Sequence, residues 1–107
     1  MESALRFNYY RLMKRGPYRM IEKNYKITTN EGLHARPSSV LVTAVTPFAA
    51  EVKLEYKEKT VNLKSIMGVM ALGISMGADI KISADGADEK ALMAKVDEVI
   101  KSERIGQ

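Results

Sequence analysis

Residues 51–63 place the strongest constraint on the fold, because their pattern predicts two strands joined by a tight turn. Charged and apolar side chains alternate from Glu51 to Tyr56. Such period-two alternation predicts a strand with one face in the core and the other in water. Residues 57–59 give a short connection, and residues 60–63 predict the returning strand of a hairpin. A lone hairpin is marginal in water, so other elements of the chain must cover its apolar face.

The flanking sequence supplies those covering elements. Two more strands are predicted at residues 21–28 and 79–84, and helices are predicted at residues 35–46, 66–72 and from 88 onward. Pro47 is expected to end the first helix by pushing the residue before it out of the helical region. The apolar stripes of the first and last helices are Val40, Leu41, Ala44, Val45, and Leu92, Met93, Val96, Val99, Ile100. The order β-α-β-β-α-β-α predicts an α+β fold: a four-stranded antiparallel sheet with three helices on one face.

Composition excludes several kinds of site. The chain has 107 residues, enough for one domain with a single core. With no cysteine and one histidine, it cannot form a disulfide, a thiolate metal site or a multi-histidine zinc site. Only carboxylate-rich metal sites are left, and we expect no bound metal and no cofactor. No apolar stretch reaches the length of a membrane span or a signal core. We therefore expect a cytoplasmic location and no membrane insertion.

The basic charge is confined to the start of the chain. Residues 1–19 carry a net charge of +4, which equals that of the whole chain, so residues 20–107 are neutral. This distribution argues against a nucleic-acid-binding fold. We expect a basic, disordered extension at residues 1–19, most simply a translated leader before a natural start at Met20, and one domain at residues 20–107. The rival interpretation is a genuine basic tail that contacts an acidic partner, a nucleic acid or a lipid surface.

His34 is the first candidate functional residue. It lies at the predicted entrance of the first helix, where unpaired backbone N–H groups and the helix dipole favour an anion. Arg36, two residues on, adds a guanidinium that matches phosphate geometry. A lone histidine is more often structural, but histidine is not a favoured N-cap residue, so local stability does not explain its position. A neutral imidazole there is suited to accept and pass on a phosphoryl group.

Ser65 marks the start of the second predicted helix and has two interpretations. Serine is a preferred N-cap, which is one sufficient role. A phosphate on its oxygen would also be favoured by the helix N-terminus. The neighbouring Ile66, Met67, Val69 and Met70 span more than one helix face, so they are either core residues or partly an exposed docking surface.

The motif GLHARP at residues 32–37, followed by NLKSIMGVM at residues 62–70, resembles the histidine-containing phosphocarrier (HPr) family of the bacterial phosphoenolpyruvate:sugar phosphotransferase system. The resemblance covers residues 20–107 and implies the open-faced β-sandwich of that family. It also implies that His34 takes phosphate on Nδ1 from phospho-Enzyme I and passes it to sugar-specific enzyme IIA components, with Arg36 stabilising the phosphate. Such a protein is a carrier and not an enzyme, and a monomer is the simplest expectation.

The same resemblance implies that Ser65 is phosphorylated by an HPr kinase/phosphorylase. The phosphoserine form would bind a catabolite-repression transcription factor through Ile66, Met67 and Met70. An alternative function is therefore a regulatory binding module that acts mainly through phospho-Ser65. One departure favours that alternative: residues 35–47 contain no lysine, whereas the family often carries lysine there to dock on acidic Enzyme I.

Overall fold

The computed structural model describes residues 20–107, and the expectations for residues 1–19 lie outside that range. Within it the chain forms four strands and three helices in the predicted order. They are β1 (Ile21–Lys26), α1 (Ala35–Val45), β2 (Glu51–Tyr56), β3 (Lys59–Asn62), α2 (Ile66–Ala71), β4 (Asp79–Asp85) and α3 (Glu89–Ser102).

The four strands form one antiparallel sheet in the order β1-β4-β2-β3. Leu54 of β2 lies between Val61 of β3 and Ile82 of β4, so apolar side chains meet across the centre of the sheet. The helices cover this apolar face, with α3 packed on β4 and β1, and α1 packed on α3 and α2. The opposite face carries exposed charged side chains such as Glu51 and Lys53. The predicted α+β open-faced sandwich is therefore confirmed.

Helix α1 presents a slightly different face to the core than its sequence stripe predicts. Its buried residues are Pro37, Ser38, Leu41, Val42 and Val45. Val40 and Ala44, which belong to the predicted stripe, are only partly buried, whereas Val42 is buried. Compared with the predicted orientation, the helix is rotated about its axis, since Pro37 and Ser38 of its first turn are also buried in the core. For α3 the predicted stripe is buried as expected.

Two element boundaries differ from the sequence predictions. Strand β1 ends at Lys26, not at residue 28, because Ile27 forms an isolated bridge with Gly106 near the C-terminus. Helix α1 ends at Val45, yet Thr46 keeps a helical conformation (φ −57°, ψ −38°) in spite of the proline that follows. Its hydroxyl donates to the carbonyl of Val42 at 2.6 Å, which holds it there. The expected effect of Pro47 on Thr46 was therefore wrong.

Asp88 occupies the N-cap position of α3, but its carboxylate makes no capping hydrogen bond. It instead accepts the backbone N–H groups of Ala49 and Ala50, each at 2.8 Å. These two hydrogen bonds lower the pKa of Asp88, and the one from Ala49 has the larger effect. The hydrogen bond within the start of the helix comes from Glu89 instead, whose Oε1 accepts the N–H of Gly86 at 3.0 Å. Asp88 thus ties the start of α3 to the loop between α1 and β2.

Candidate functional site

His34 is the N-cap residue of α1, with an extended backbone (φ −103°, ψ −178°). Its side chain is exposed and makes no capping hydrogen bond. The helix thus begins directly after the residue that carries the imidazole, and the N–H groups of its first turn lack intrahelical partners. This geometry can hold an anion beside a nucleophilic ring.

The loop before His34 is fixed against the segment that follows α2. Gly32 has a φ of +62°, and a Cβ there would overlap the carbonyl oxygen of Ile74. Leu33 is fully buried, and its N–H donates to that same oxygen at 2.9 Å. The glycine of the GLHARP motif is therefore required both for its backbone angle and for the close approach.

Arg36 is exposed in the first turn of α1, on the same helix entrance as His34. It lines a shallow depression together with Thr29, Glu31, Pro37, Val40, Glu103 and Ile105. Two of these, Glu31 and Glu103, are acidic and were not identified from the sequence. They come from the turn before α1 and from the end of α3, and no local motif marks that pairing.

Ser65 is the N-cap of α2, and its Oγ accepts the N–H of Gly68 at 3.0 Å. The predicted capping role is confirmed, and phosphorylation stays a prediction. The preceding residue, Lys64, extends its ammonium group to the carbonyl of Phe48 in the loop after α1. The Lys64 side chain therefore ties the residue before α2 to the loop after α1.

The four apolar residues of α2 divide between core and surface. Val69 is fully buried, whereas Ile66 and Met70 are each 40% exposed and Met67 is 84% exposed. We call Ile66, Met67 and Met70 the α2 patch. Met76, in the loop beyond α2, is also 57% exposed and was missed because it stands outside any periodic segment. Because α1 contacts α2, His34 and the α2 patch belong to neighbouring helices.

Residues 20–107 contain no cluster of three or more acidic or imidazole groups that could hold a metal ion. In the same range, no helix combines the length and apolarity needed to cross a membrane. The absence of a cofactor stays a prediction.

Comparison with protein families finds a match to the family described as "PTS HPr component phosphorylation site", over residues 21–102. This range begins with β1 and ends with α3. Among solved structures, the histidine-containing phosphocarrier protein of Mycoplasma is 37% identical, with a TM-score of 0.79. The match covers 81% of this chain and 99% of the Mycoplasma chain.

Two further solved structures are similar. HPr from Thermoanaerobacter tengcongensis is 39% identical, with a TM-score of 0.74, over 77% of this chain and 92% of its own. Crh, a catabolite-repression protein of Bacillus subtilis described as a domain-swapped dimer, is 35% identical, with a TM-score of 0.61. That match covers 72% of this chain and 88% of Crh.

Proposed function

Since the chain belongs to the HPr family of phosphocarrier proteins, we propose that it accepts a phosphoryl group on His34 from phospho-Enzyme I and passes it to enzyme IIA components. The observation that carries this proposal is the exposed His34 ring at the N-terminus of α1, with no capping hydrogen bond to its side chain. A histidine that only capped the helix would direct a ring nitrogen to a backbone N–H.

In the proposed step, Nδ1 of neutral His34 attacks the phosphorus carried by Enzyme I. A P–N bond forms as the bond to the donor breaks, and the reverse exchange passes the group to the acceptor. In this step the backbone N–H of Arg36 and its guanidinium would offset the charge on the phosphoryl oxygens. Pro37 contributes no N–H but is tolerated in the first turn.

Docking to these partners would use the α2 patch. Exposed methionine side chains adapt to different surfaces, which suits a carrier that meets both a donor and several acceptors. Because residues 35–47 contain no lysine, apolar contact would contribute more to Enzyme I binding than charge attraction from α1 does.

We propose further that Ser65 is phosphorylated by an HPr kinase/phosphorylase and that the product binds a catabolite-repression transcription factor through the α2 patch. The support is that Ser65 is only partly buried, starts a helix and lies beside the charged Lys64. Similarity to Crh favours a second candidate, a regulatory module in which phospho-Ser65 is the main signal.

Phosphorylation by purified Enzyme I and phosphoenolpyruvate tests the proposal. Intact mass should show one added phosphate on the wild-type protein and none on His34→Ala. Loss of the charge-assisted contact in Arg36→Ala should slow uptake about tenfold. Ser65→Ala is the control and should be labelled like the wild type. Full labelling of His34→Ala would contradict the proposal, whereas no labelling of the wild type would favour the regulatory module.

We also propose that residues 20–107 form the phosphocarrier domain, because the family match over residues 21–102 lies within them. Removal of residues 1–19 should leave the rate of phosphate uptake from Enzyme I unchanged. A large loss of rate would contradict this.

We propose a monomer as the carrier form, although Crh is described as a swapped dimer. Light scattering coupled to gel filtration should give the mass of one chain. A dimer mass at working concentration would contradict it.

A further inference from the structure

Ser38 lies four residues beyond His34 in α1 and is fully buried. Its hydroxyl donates to the carbonyl of Leu33 at 2.6 Å, and its backbone N–H donates to the carbonyl of His34 at 3.1 Å. These two carbonyls belong to the peptide units on either side of the His34 Cα. One buried residue therefore holds both peptide planes that flank the histidine.

We infer that Ser38 is a positioning residue for His34, acting through its hydroxyl on the Leu33 carbonyl. The His34 side chain has no capping hydrogen bond to hold it, and the two flanking peptide planes set the direction of its Cα–Cβ bond and hence where the ring starts. The second bond, from the Ser38 N–H, is an ordinary helical bond that any residue other than proline could make. The hydroxyl bond is specific to this side chain.

Leu33 is fixed from both sides as a result. Its N–H is held by Ile74, and its carbonyl is held by Ser38. A buried carbonyl without a partner would cost free energy, so removal of the hydroxyl should allow the Leu33–His34 peptide to turn in search of another donor. That rotation would move the imidazole.

The choice of serine at this position is not explained by helix propensity. Serine is a weaker helix former than alanine, and buried polar side chains are rare in this domain. Among the described residues, the buried polar or charged side chains are Ser38 and Glu89. The role of Ser38 in transfer rests on the proposed phosphorylation of His34, because in-line transfer is sensitive to small displacements of the nucleophile.

The test compares Ser38→Ala with Ser39→Ala, a matched control at the neighbouring exposed serine. His34 is the only histidine, so its imidazole signals in NMR spectra are unambiguous. Ser38→Ala should shift those signals, and should slow phosphate uptake from Enzyme I roughly tenfold. Ser39→Ala should change neither. Ser38→Thr, which keeps the hydroxyl, should restore the wild-type imidazole signals.

Two further variants separate positioning from stability. Ser38→Cys keeps the shape of the side chain but its thiol is a weak donor, so it should shift the His34 signals in the same direction as Ser38→Ala. Ile82→Val should lower stability at a fully buried position in β4 and should leave those signals unchanged. The inference is overturned if Ser38→Ala leaves the imidazole signals unchanged, or if Ile82→Val shifts them equally. If the wild type takes no phosphate, the proposed function fails, but the NMR comparison still tests Ser38.

Discussion

The backbone N–H of Leu33 donates to the carbonyl oxygen of Ile74 at 2.9 Å, so the loop that presents His34 rests on the segment that follows α2. The same segment continues from the helix that Ser65 begins. Helix α1 also packs on α2. The loop that presents His34 and the helix that carries the α2 patch are therefore linked by direct contacts.

Gly32 should be far less tolerant of substitution than Gly73, although both have a φ near +60°. A Cβ at Gly32 overlaps the Ile74 carbonyl, whereas a Cβ at Gly73 meets nothing within 4 Å. We expect Gly32→Ala to lower the free energy of unfolding by at least about 2 kcal/mol and Gly73→Ala by about 1 kcal/mol. Urea unfolding measures both. Equal losses would show that backbone angle alone matters at Gly32.

A negative charge at Ser65 should slow phosphate uptake from Enzyme I. Aspartate and asparagine both cap helices well, so Ser65→Asp and Ser65→Asn should fold alike. We expect Ser65→Asp alone to raise the KM of Enzyme I for this protein, because its charge borders the α2 patch and opposes an acidic, phosphorylated partner. Equal kinetics for the two variants would mean that Ser65 serves only as a cap.

Substitutions in the β2–β3 turn should raise the stability of the domain. Lys57 and Glu58 have φ values of 50° and 68°, a left-handed conformation that side chains resist. Asparagine followed by glycine is the favoured pair in such a turn. Lys57→Asn combined with Glu58→Gly should raise the free energy of unfolding by about 1 kcal/mol. Glu58→Gln removes the charge but keeps the strain, so its unfolding curve should match that of the wild type. A gain from Glu58→Gln alone would contradict the strain argument.

Asp97 on α3 anchors β1 through charged contacts. Its carboxylate accepts hydrogen bonds from Lys101 and Lys23, each at 2.9 Å, and from the hydroxyl of Tyr25 at 3.2 Å. The hydrogen bonds from Lys101 and Lys23, of which the first has the larger effect, lower the pKa of Asp97 to about 2. Burial, together with the charge of Asp97, raises the pKa of Tyr25.

The lowered pKa of Asp97 predicts a definite pH dependence. Its contribution to stability is complete above the ordinary value of 3.8 and is lost as pH falls through about 2. Urea unfolding of Asp97→Asn should therefore differ most from the wild type at neutral pH, and the difference should shrink across that acidic window. Glu98→Gln is the control, since Glu98 is exposed and 3.7 Å from Lys95. A difference for Asp97→Asn that does not change with pH would contradict the assignment.

The order of elements could be predicted because each is specified locally. Alternation in β2 and the spacing of apolar residues in α3 need no knowledge of the rest of the chain. The positions of His34 and Ser65 at helix starts followed from the same local signals, and both are N-cap residues in the structure.

Features that depend on distant residues could not be predicted. Asp88 has the sequence signature of a cap, yet it binds Ala49 and Ala50, almost forty residues earlier. The end of β1 depends on Gly106, and Glu103 reaches the Arg36 depression only through the packing of α3. The division of α2 into a buried Val69 and an exposed patch likewise required the position of the helix on the domain.

The chemistry of the phosphorylated product tests the central claim most directly. Radiolabel from phosphoenolpyruvate should pass through purified Enzyme I to the wild-type protein, and the product should then be treated with acid and with alkali. We expect label that is lost in acid and survives alkali, as a P–N bond requires, which with one histidine places it on His34. Label that resists acid, or no label while another HPr is labelled in parallel, would contradict the account.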